Sequence, residues 1–177
     1  TGTLTVQIKQ TQPGVEVVGL DGDADVLRRA AAKRDRVGVA LDLVEGFSDR
    51  LPFADESFDR VLCSLLLHHL TTDAKRHTLA EVFRILRPGG QVHIADWGAP
   101  HDPLMRAAFL IVQLVDGFTT TDDNVKGRIP AMLDDAGLSL ILTQASCEAA
   151  LPPHRATLLR LDAEWSTIAG EPESALE

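Results

Sequence analysis

The sequence predicts an α/β fold in which helices alternate with the strands of a mainly parallel sheet. Short apolar runs of strand length recur along the chain, at residues 15–20 and 58–64 among others. Segments with helical patterning lie between such runs, at residues 24–33 and 72–86 among others. This alternation is typical of layered α/β folds with parallel strands.

The first strand is followed by a clear turn and a helix start. Residues 15–20 form an apolar run that ends at Asp21 and Gly22, as expected of a buried parallel strand. Asp23 suits the N-cap of the next helix, because its carboxylate can accept a hydrogen bond from the first helical turn. Residues 37–44 form the next apolar segment.

The middle of the chain repeats the pattern. Residues 58–64 predict a strand, and a helix with one apolar face begins near Thr72. A turn at residues 87–90 ends that helix, because its proline stops the helix and its two glycines permit positive φ angles. Residues 91–95 then predict a strand that places Asp96 at its carboxyl end.

The remaining elements close the predicted fold. Residues 103–116 predict an amphipathic helix, residues 116–124 a polar loop and residues 123–136 a second helix. Residues 138–146 and 155–163 predict two strands with no helix between them. Such a pair is expected to form a hairpin, which makes the last strand antiparallel. We expect one domain over residues 1–164 and a loosely attached tail over residues 165–177, where Leu176-Glu177 resembles a cloning scar.

Composition excludes several classes of partner. With 17 basic and 26 acidic residues among 177, the net charge is −9, which disfavours a surface that binds DNA or RNA. No apolar run reaches the length of a membrane span. Cys63 and Cys147 form no CxxC pair, so we expect no metal site, and two lone thiols fit the cytoplasm.

Four short motifs carry a family resemblance. In order they are Leu51-Pro52-Phe53, Ser57-Phe58-Asp59-Arg60-Val61, Leu67-His68-His69-Leu70 and Leu86-Arg87-Pro88-Gly89-Gly90. Together they resemble the class I S-adenosylmethionine (SAM)-dependent methyltransferases, in particular the small-molecule, quinone-biosynthesis-like branch (methyltransferase type 11). The resemblance implies a Rossmann-like, doubly wound sheet in a three-layer αβα arrangement. It also implies SAM as the cofactor and a small-molecule acceptor.

The family register assigns the amino end of the chain. Alternating apolar residues suit a strand over residues 3–12, whereas the resemblance makes this segment the first helix. Gly2 matches the last glycine of the family's cofactor loop, so the first strand and most of that motif are missing. We expect the native protein to be longer; the alternative is a fragment that fills the gap by strand exchange or dimerisation.

The candidate cofactor residues follow the ends of the early strands. Asp21 stands where an acid can accept hydrogen bonds from both ribose hydroxyls; the alternative is a turn aspartate beside Gly22. At the adenine side, Phe47 and Ser48 replace the family's Asp-Ala. Phe47 either packs on the adenine ring or belongs to the core. Further cofactor contacts implied by the resemblance are Ser64, Leu65 and Leu66.

His68, His69 and Asp96 are the candidate catalytic residues, because a base is needed only if the acceptor must lose a proton. Neighbouring histidines are expected to point in different directions, so at most one faces the acceptor. For each of the three residues a purely structural role is the alternative. The segment from Trp97 to Gly137 is the expected wall of a partly hydrophobic acceptor pocket. Two other functions stay open, a non-catalytic binding protein of this fold and a nicotinamide-dependent oxidoreductase.

Overall fold

The computed structural model describes residues 2–100, 102–138, 140–143 and 157–160. The chain divides into two compact units, residues 1–52 and residues 53–177. In the described part of the chain, no helix combines the length and the apolar character that crossing a lipid bilayer requires.

The first unit contains two helices and one pair of parallel strands. Its elements are α1 (Thr3–Thr11), β1 (Val18–Asp21), α2 (Ala24–Val37) and β2 (Asp42–Glu45). Asp23 caps α2 as predicted, since its carboxylate accepts a hydrogen bond from the Asp25 N–H at 2.7 Å. The parallel register sets Asp21 opposite Glu45, so both acids lie at the carboxyl ends of their strands.

Residues 3–11 are helical. The helix that the family resemblance predicts here is confirmed, and the strand predicted from the alternating apolar residues is wrong. Gly2 begins the helix, and its carbonyl accepts a hydrogen bond from the Val6 N–H at 3.1 Å. Within α1 only Val6 is buried, so the alternation of apolar residues does not correspond to a buried sheet face.

The second unit carries the larger core. Its elements are β3 (Phe58–Ser64), a 3₁₀ turn (Leu67–His69), α3 (Thr72–Ile85), β4 (Leu86–Ala95), α4 (Pro103–Asp116), α5 (Phe118–Val125), α6 (Ile129–Asp135), β5 (Leu140–Thr143) and β6 (Thr157–Arg160). Side chains from α3, β4, α6 and a leucine three residues beyond α6 form one buried cluster: Leu79, Val82, Leu86, Val92, Met132, Leu133 and Leu138. Strands β3 and β4 pair in parallel, which brings Ser64 opposite Ala95, next to Asp96.

The predicted turn at residues 87–90 is an insertion within β4. Phe58 pairs with Leu86 and Arg60 with Gln91, so four residues of β4 lie opposite Asp59 alone. Arg87 holds this bulge by donating two hydrogen bonds of 2.8 Å to the Asp59 carboxylate. Gly89 has a φ of +83°, the left-handed conformation that favours glycine.

The predicted polar loop at residues 116–124 is wrong, because most of it forms α5. Thr121 is buried, and its hydroxyl bonds back to the Gly117 carbonyl at 2.7 Å. Asp123 and Asn124 are buried as well and are held by neighbouring side chains. Three polar residues of this segment are therefore buried, and the predicted second helix is divided between the end of α5 and α6.

The prediction of an antiparallel last strand is also wrong. Strands β5 and β6 pair in parallel, with Leu140 opposite Thr157 and Thr143 opposite Arg160. A parallel connection requires about a dozen residues, and residues 144–156 supply that length without a helix in the sequence pattern. All strand pairs in the described residues are thus parallel, and helices alternate with them, which confirms the predicted Rossmann-like α/β class. The predicted tail lies outside the described residues, and the domain bounds stay a prediction.

Candidate functional site

In the first unit, Asp21 combines a turn role with an available carboxylate oxygen. Its Oδ1 accepts a hydrogen bond from the Asp23 N–H at 3.0 Å, which stabilises the turn after β1. Its Oδ2 has no hydrogen-bond partner among the described residues. The helix cap belongs to Asp23, so the half-buried Asp21 retains one oxygen that can accept a hydrogen bond from a ligand.

Phe47 lies beside Asp21 and presents its ring to solvent. The residue is 69% exposed, so the alternative that Phe47 belongs to the core is wrong. A Cβ on Gly22 would lie 2.7 Å from a ring carbon of Phe47, so only glycine allows this close packing. The turn after Phe47 contains the half-buried Ser48 and closes with a hydrogen bond from the Arg50 N–H to the Phe47 carbonyl.

Gly2 has a packing role that the sequence did not reveal. Its φ is +68°, and a Cβ built on it would lie 2.4 Å from the Cβ of Ala30 in α2. The glycine thus lets α1 begin in contact with α2. A contact of Gly2 with a cofactor stays a prediction.

In the second unit, β3 ends in a strained turn. Leu65 has a φ of +52°, a left-handed conformation that costs a residue with a side chain about 1–3 kcal/mol. Its N–H donates to the Ala95 carbonyl at 2.8 Å, and its side chain is exposed. Ser64 is exposed as well, and Leu66 begins the 3₁₀ turn that carries the histidines. Strain of this kind clusters at binding and catalytic sites, and no feature of the sequence signalled it.

Asp96 is the centre of a hydrogen-bond network. Its side chain is only 4% exposed. It accepts hydrogen bonds of 2.7 Å from the N–H groups of Leu67 and Trp97 and from His68 Nδ1, and one of 3.3 Å from Asn124. A carboxylate with four donors is well suited to orient His68 and poorly suited to abstract a proton itself.

The two histidines approach the same acid. His68 Nδ1 lies 2.7 Å from the Asp96 carboxylate, which can only accept, so the neutral ring has its lone pair on Nε2; this atom lies 3.9 Å from Asp116 Oδ2. His69 Nδ1 lies 3.8 Å from Asp116 Oδ1, and its side chain is 53% exposed. The ring centroids are 4.0 Å apart, so the expectation of divergent directions is wrong. Asp116, at the end of α4, is a site residue that sequence reasoning missed.

Asn124 was missed as well. It is buried, and its Nδ2 donates to Asp96 and to the Trp97 carbonyl at 2.8 Å. Its Oδ1 is buried without a hydrogen-bond partner in the part of the chain described. The residue lay in a segment that the sequence predicted to be a solvated loop, and only the tertiary structure brings it to Asp96.

Cys63 is not a nucleophile at this site. Burial, and secondly the negative charge of Asp96, raise the pKa of its thiol to about 12. The thiol is therefore protonated at neutral pH, and Cys63 acts as a small apolar residue within β3.

Comparisons with known proteins identify the family. The model of the methyltransferase domain family matches residues 1–90. The chain is 32% identical over 109 residues to a demethylmenaquinone methyltransferase of Deinococcus radiodurans, covering 62% of this chain and 44% of that protein. A demethylmenaquinone methyltransferase of Clavibacter sepedonicus is 31% identical over 81% of this chain and 61% of its own length.

A solved structure agrees with these relatives. The structure of a putative O-methyltransferase from Nostoc punctiforme superposes with a TM-score of 0.64 at 26% identity, over 76% of this chain and 41% of that one. The chain thus spans between about two fifths and three fifths of these proteins. The family model covers half of the sequence and includes the turn after β1, the Phe47 turn and the two histidines. This chain belongs to the methyltransferase domain family.

Proposed function

We propose that the protein transfers a methyl group from SAM to a small-molecule acceptor. The observation that carries the proposal is the carboxylate of Asp21, which ends β1 with a free oxygen inside a segment that matches the methyltransferase domain family. In an α/β sheet, ligands bind beyond the carboxyl ends of the strands. SAM supplies an activated methyl group, and the protein contributes the positioning of the two reactants.

The residues of the first unit fit the adenosine part of SAM. The free oxygen of Asp21 suits a ribose hydroxyl, and the exposed Phe47 ring suits the flat face of adenine. Gly22 lies between them without a side chain, so the ring and the carboxylate lie close together. The family resemblance adds further cofactor contacts: Gly2, Ser48, Ser64, Leu65 and Leu66.

The second unit contributes the base. His68 presents an Nε2 lone pair while Asp96 fixes its tautomer, an arrangement that suits removal of a proton from an acceptor. The names of the relatives favour a quinol-type aromatic acceptor, which loses a ring proton when a carbon is methylated. We assign the base to His68 and an orienting role to Asp96, whereas no carboxylate of the described residues is hydrogen-bonded to His69.

The two other functions receive less support. A nicotinamide-dependent oxidoreductase disagrees with the family match. A non-catalytic protein of this fold is favoured by the replacement of the family's acid by Phe47 and by the missing glycine loop, whereas the exposed Phe47 ring is available to pack on adenine. A cytoplasmic location and a homodimer stay predictions.

Replacing Asp21 by alanine tests the cofactor site. In calorimetric titrations of the full-length protein with SAM, we expect the variant to bind roughly 10- to 100-fold more weakly, because a charge-assisted hydrogen bond to the ribose is lost. Asp42→Ala is the matched control, because it removes the same charge from an exposed position. Asp42 begins β2 and therefore lies at the opposite end of the strand pair from Asp21. Equal affinities of the Asp21 variant and the wild type would contradict the proposed site.

A further inference from the structure

Three potential metal ligands converge in the second unit. One ligand atom each from His68, His69 and Asp116 lies within 4.8 Å of the other two. Two of these residues follow each other in the 3₁₀ turn, and the third ends α4. Two imidazoles and one carboxylate are a ligand set that divalent transition metals commonly use.

The three groups do not satisfy one another. The distances of 3.9 Å and 3.8 Å from the histidine nitrogens to the Asp116 oxygens exceed those of hydrogen bonds. The Asp116 carboxylate is 19% exposed and accepts no hydrogen bond from the described residues. It also ends α4, where the helix dipole disfavours negative charge and the last turn contains no basic residue. A cation between the three groups would relieve this unfavourable charge.

His68 has the second interaction that is typical of metal-binding histidines. Its Nδ1–H donates to Asp96 at 2.7 Å, which turns Nε2 towards Asp116. Asp96 is itself held by the N–H groups of Leu67 and Trp97. Metal-bound histidines generally donate their other N–H to a carboxylate or carbonyl, which fixes the ring and raises its basicity. This orienting network is in place around the three ligands.

We propose that His68 Nε2, His69 Nδ1 and the Asp116 carboxylate bind one divalent transition-metal ion of the zinc type. Three protein ligands leave a coordination position open, as in catalytic zinc sites. The half-exposed His69 has the freedom to move inward and complete the geometry. The site does not depend on methyl transfer. Because the ion takes the Nε2 lone pair, the metal-bound state and the free base at His68 exclude each other.

Metal titrations of the full-length protein, prepared without a polyhistidine tag, test the proposal. We expect the wild type to bind one equivalent of Co²⁺ with a visible absorption band, and Zn²⁺ to displace it. His69→Ala and Asp116→Asn should each weaken binding at least as strongly as Asp96→Asn, for which we expect a loss of roughly 10- to 100-fold. His77→Ala is the matched control and should bind like the wild type, because this exposed histidine lies on α3 away from the cluster.

Two results would overturn the metal site. One is a wild type that binds neither ion, and the other is Co²⁺ binding that is as tight in His69→Ala and Asp116→Asn as in the wild type. His69 is exposed, so its variant is expected to fold, and circular dichroism of each variant checks this. SAM titration of the same samples is independent of the ion, so failure of the metal site is distinguishable from failure of the proposed function.

Discussion

Replacing His68 by asparagine is expected to reduce kcat for methyl transfer by about 10²- to 10⁴-fold, the contribution typical of a positioned general base. The asparagine amide can replace the Nδ1–H that donates to Asp96, but it has no counterpart of the Nε2 lone pair. The network around Asp96 would thus be retained while the base is removed. Affinity for SAM should stay unchanged, since His68 is not one of the proposed cofactor contacts.

The assay follows labelled methyl groups from SAM to a reduced naphthoquinone that lacks the ring methyl group. A chelator is present, so that the rate reflects the imidazole and not a bound ion. His77→Asn provides the matched control, because it removes an exposed imidazole from α3. A loss of less than about threefold for His68→Asn would exclude this residue as the base.

Replacing Lys75 by methionine is expected to lower the free energy of unfolding by about 3–5 kcal/mol, as is typical when one partner of a buried ion pair is removed. Lys75 and Asp123 both have side chains that are 0% exposed, and Nζ lies 3.2 Å from Asp123 Oδ2. Lys75 Nζ also donates to the Thr120 carbonyl. The variant leaves the buried Asp123 carboxylate with Arg128 as its remaining cation, at 3.3 Å, and the Arg128 side chain is 52% exposed. Asp123 lies in α5, the helix that also carries Asn124, the donor to Asp96.

The charge state of Asp123 gives this prediction a pH dependence. Burial raises the pKa of Asp123, but hydrogen bonds from Thr72 and Lys75 outweigh it and hold the pKa below its usual value. A lowered folded-state pKa contributes stability that is present above the unfolded pKa of about 3.9 and is lost as the pH falls through the folded value. The stability difference between the wild type and Lys75→Met is therefore expected to shrink in strong acid.

Urea unfolding at neutral pH measures the effect. Arg76→Met is the matched control, because this neighbouring cation on α3 is exposed and, within the described part of the chain, pairs only with the exposed Asp73. Its loss should cost less than about 1 kcal/mol. In the double variant Lys75→Met/Asp123→Leu, much of the lost stability should return, since no buried charge is left without a partner. A cost below about 1 kcal/mol for Lys75→Met would show that the pair is not the stabilising link between α3 and α5.

The local parts of the fold were predictable because their signals are local. The predicted helix at residues 103–116 matches α4, since Asp102 caps its first turn and Gly117 follows its end. The strand at residues 58–64 matches β3. The position of Asp21 at the carboxyl end of β1 was predictable in the same way, because this acid directly follows an apolar run.

The rest depends on burial that sequence patterns do not reveal. The Thr-, Asp- and Asn-rich segment after Gly117 has the composition of a solvated loop, yet Asp123 and Asn124 are buried there and hold Lys75 and Asp96. Asp116 ends α4, whereas His68 and His69 lie in the 3₁₀ turn, so only the tertiary structure brings these three residues together. The parallel direction of β5 relative to β6 is a property of the tertiary structure that no local sequence pattern indicates.

A crystal structure of the full-length protein with S-adenosylhomocysteine would test the central claim most directly. We expect a ribose hydroxyl within hydrogen-bonding distance of the Asp21 carboxylate, and the adenine ring in contact with the face of Phe47. A nucleoside bound without contact to Asp21, or a protein that takes up no nucleoside at saturating concentration, would contradict the account.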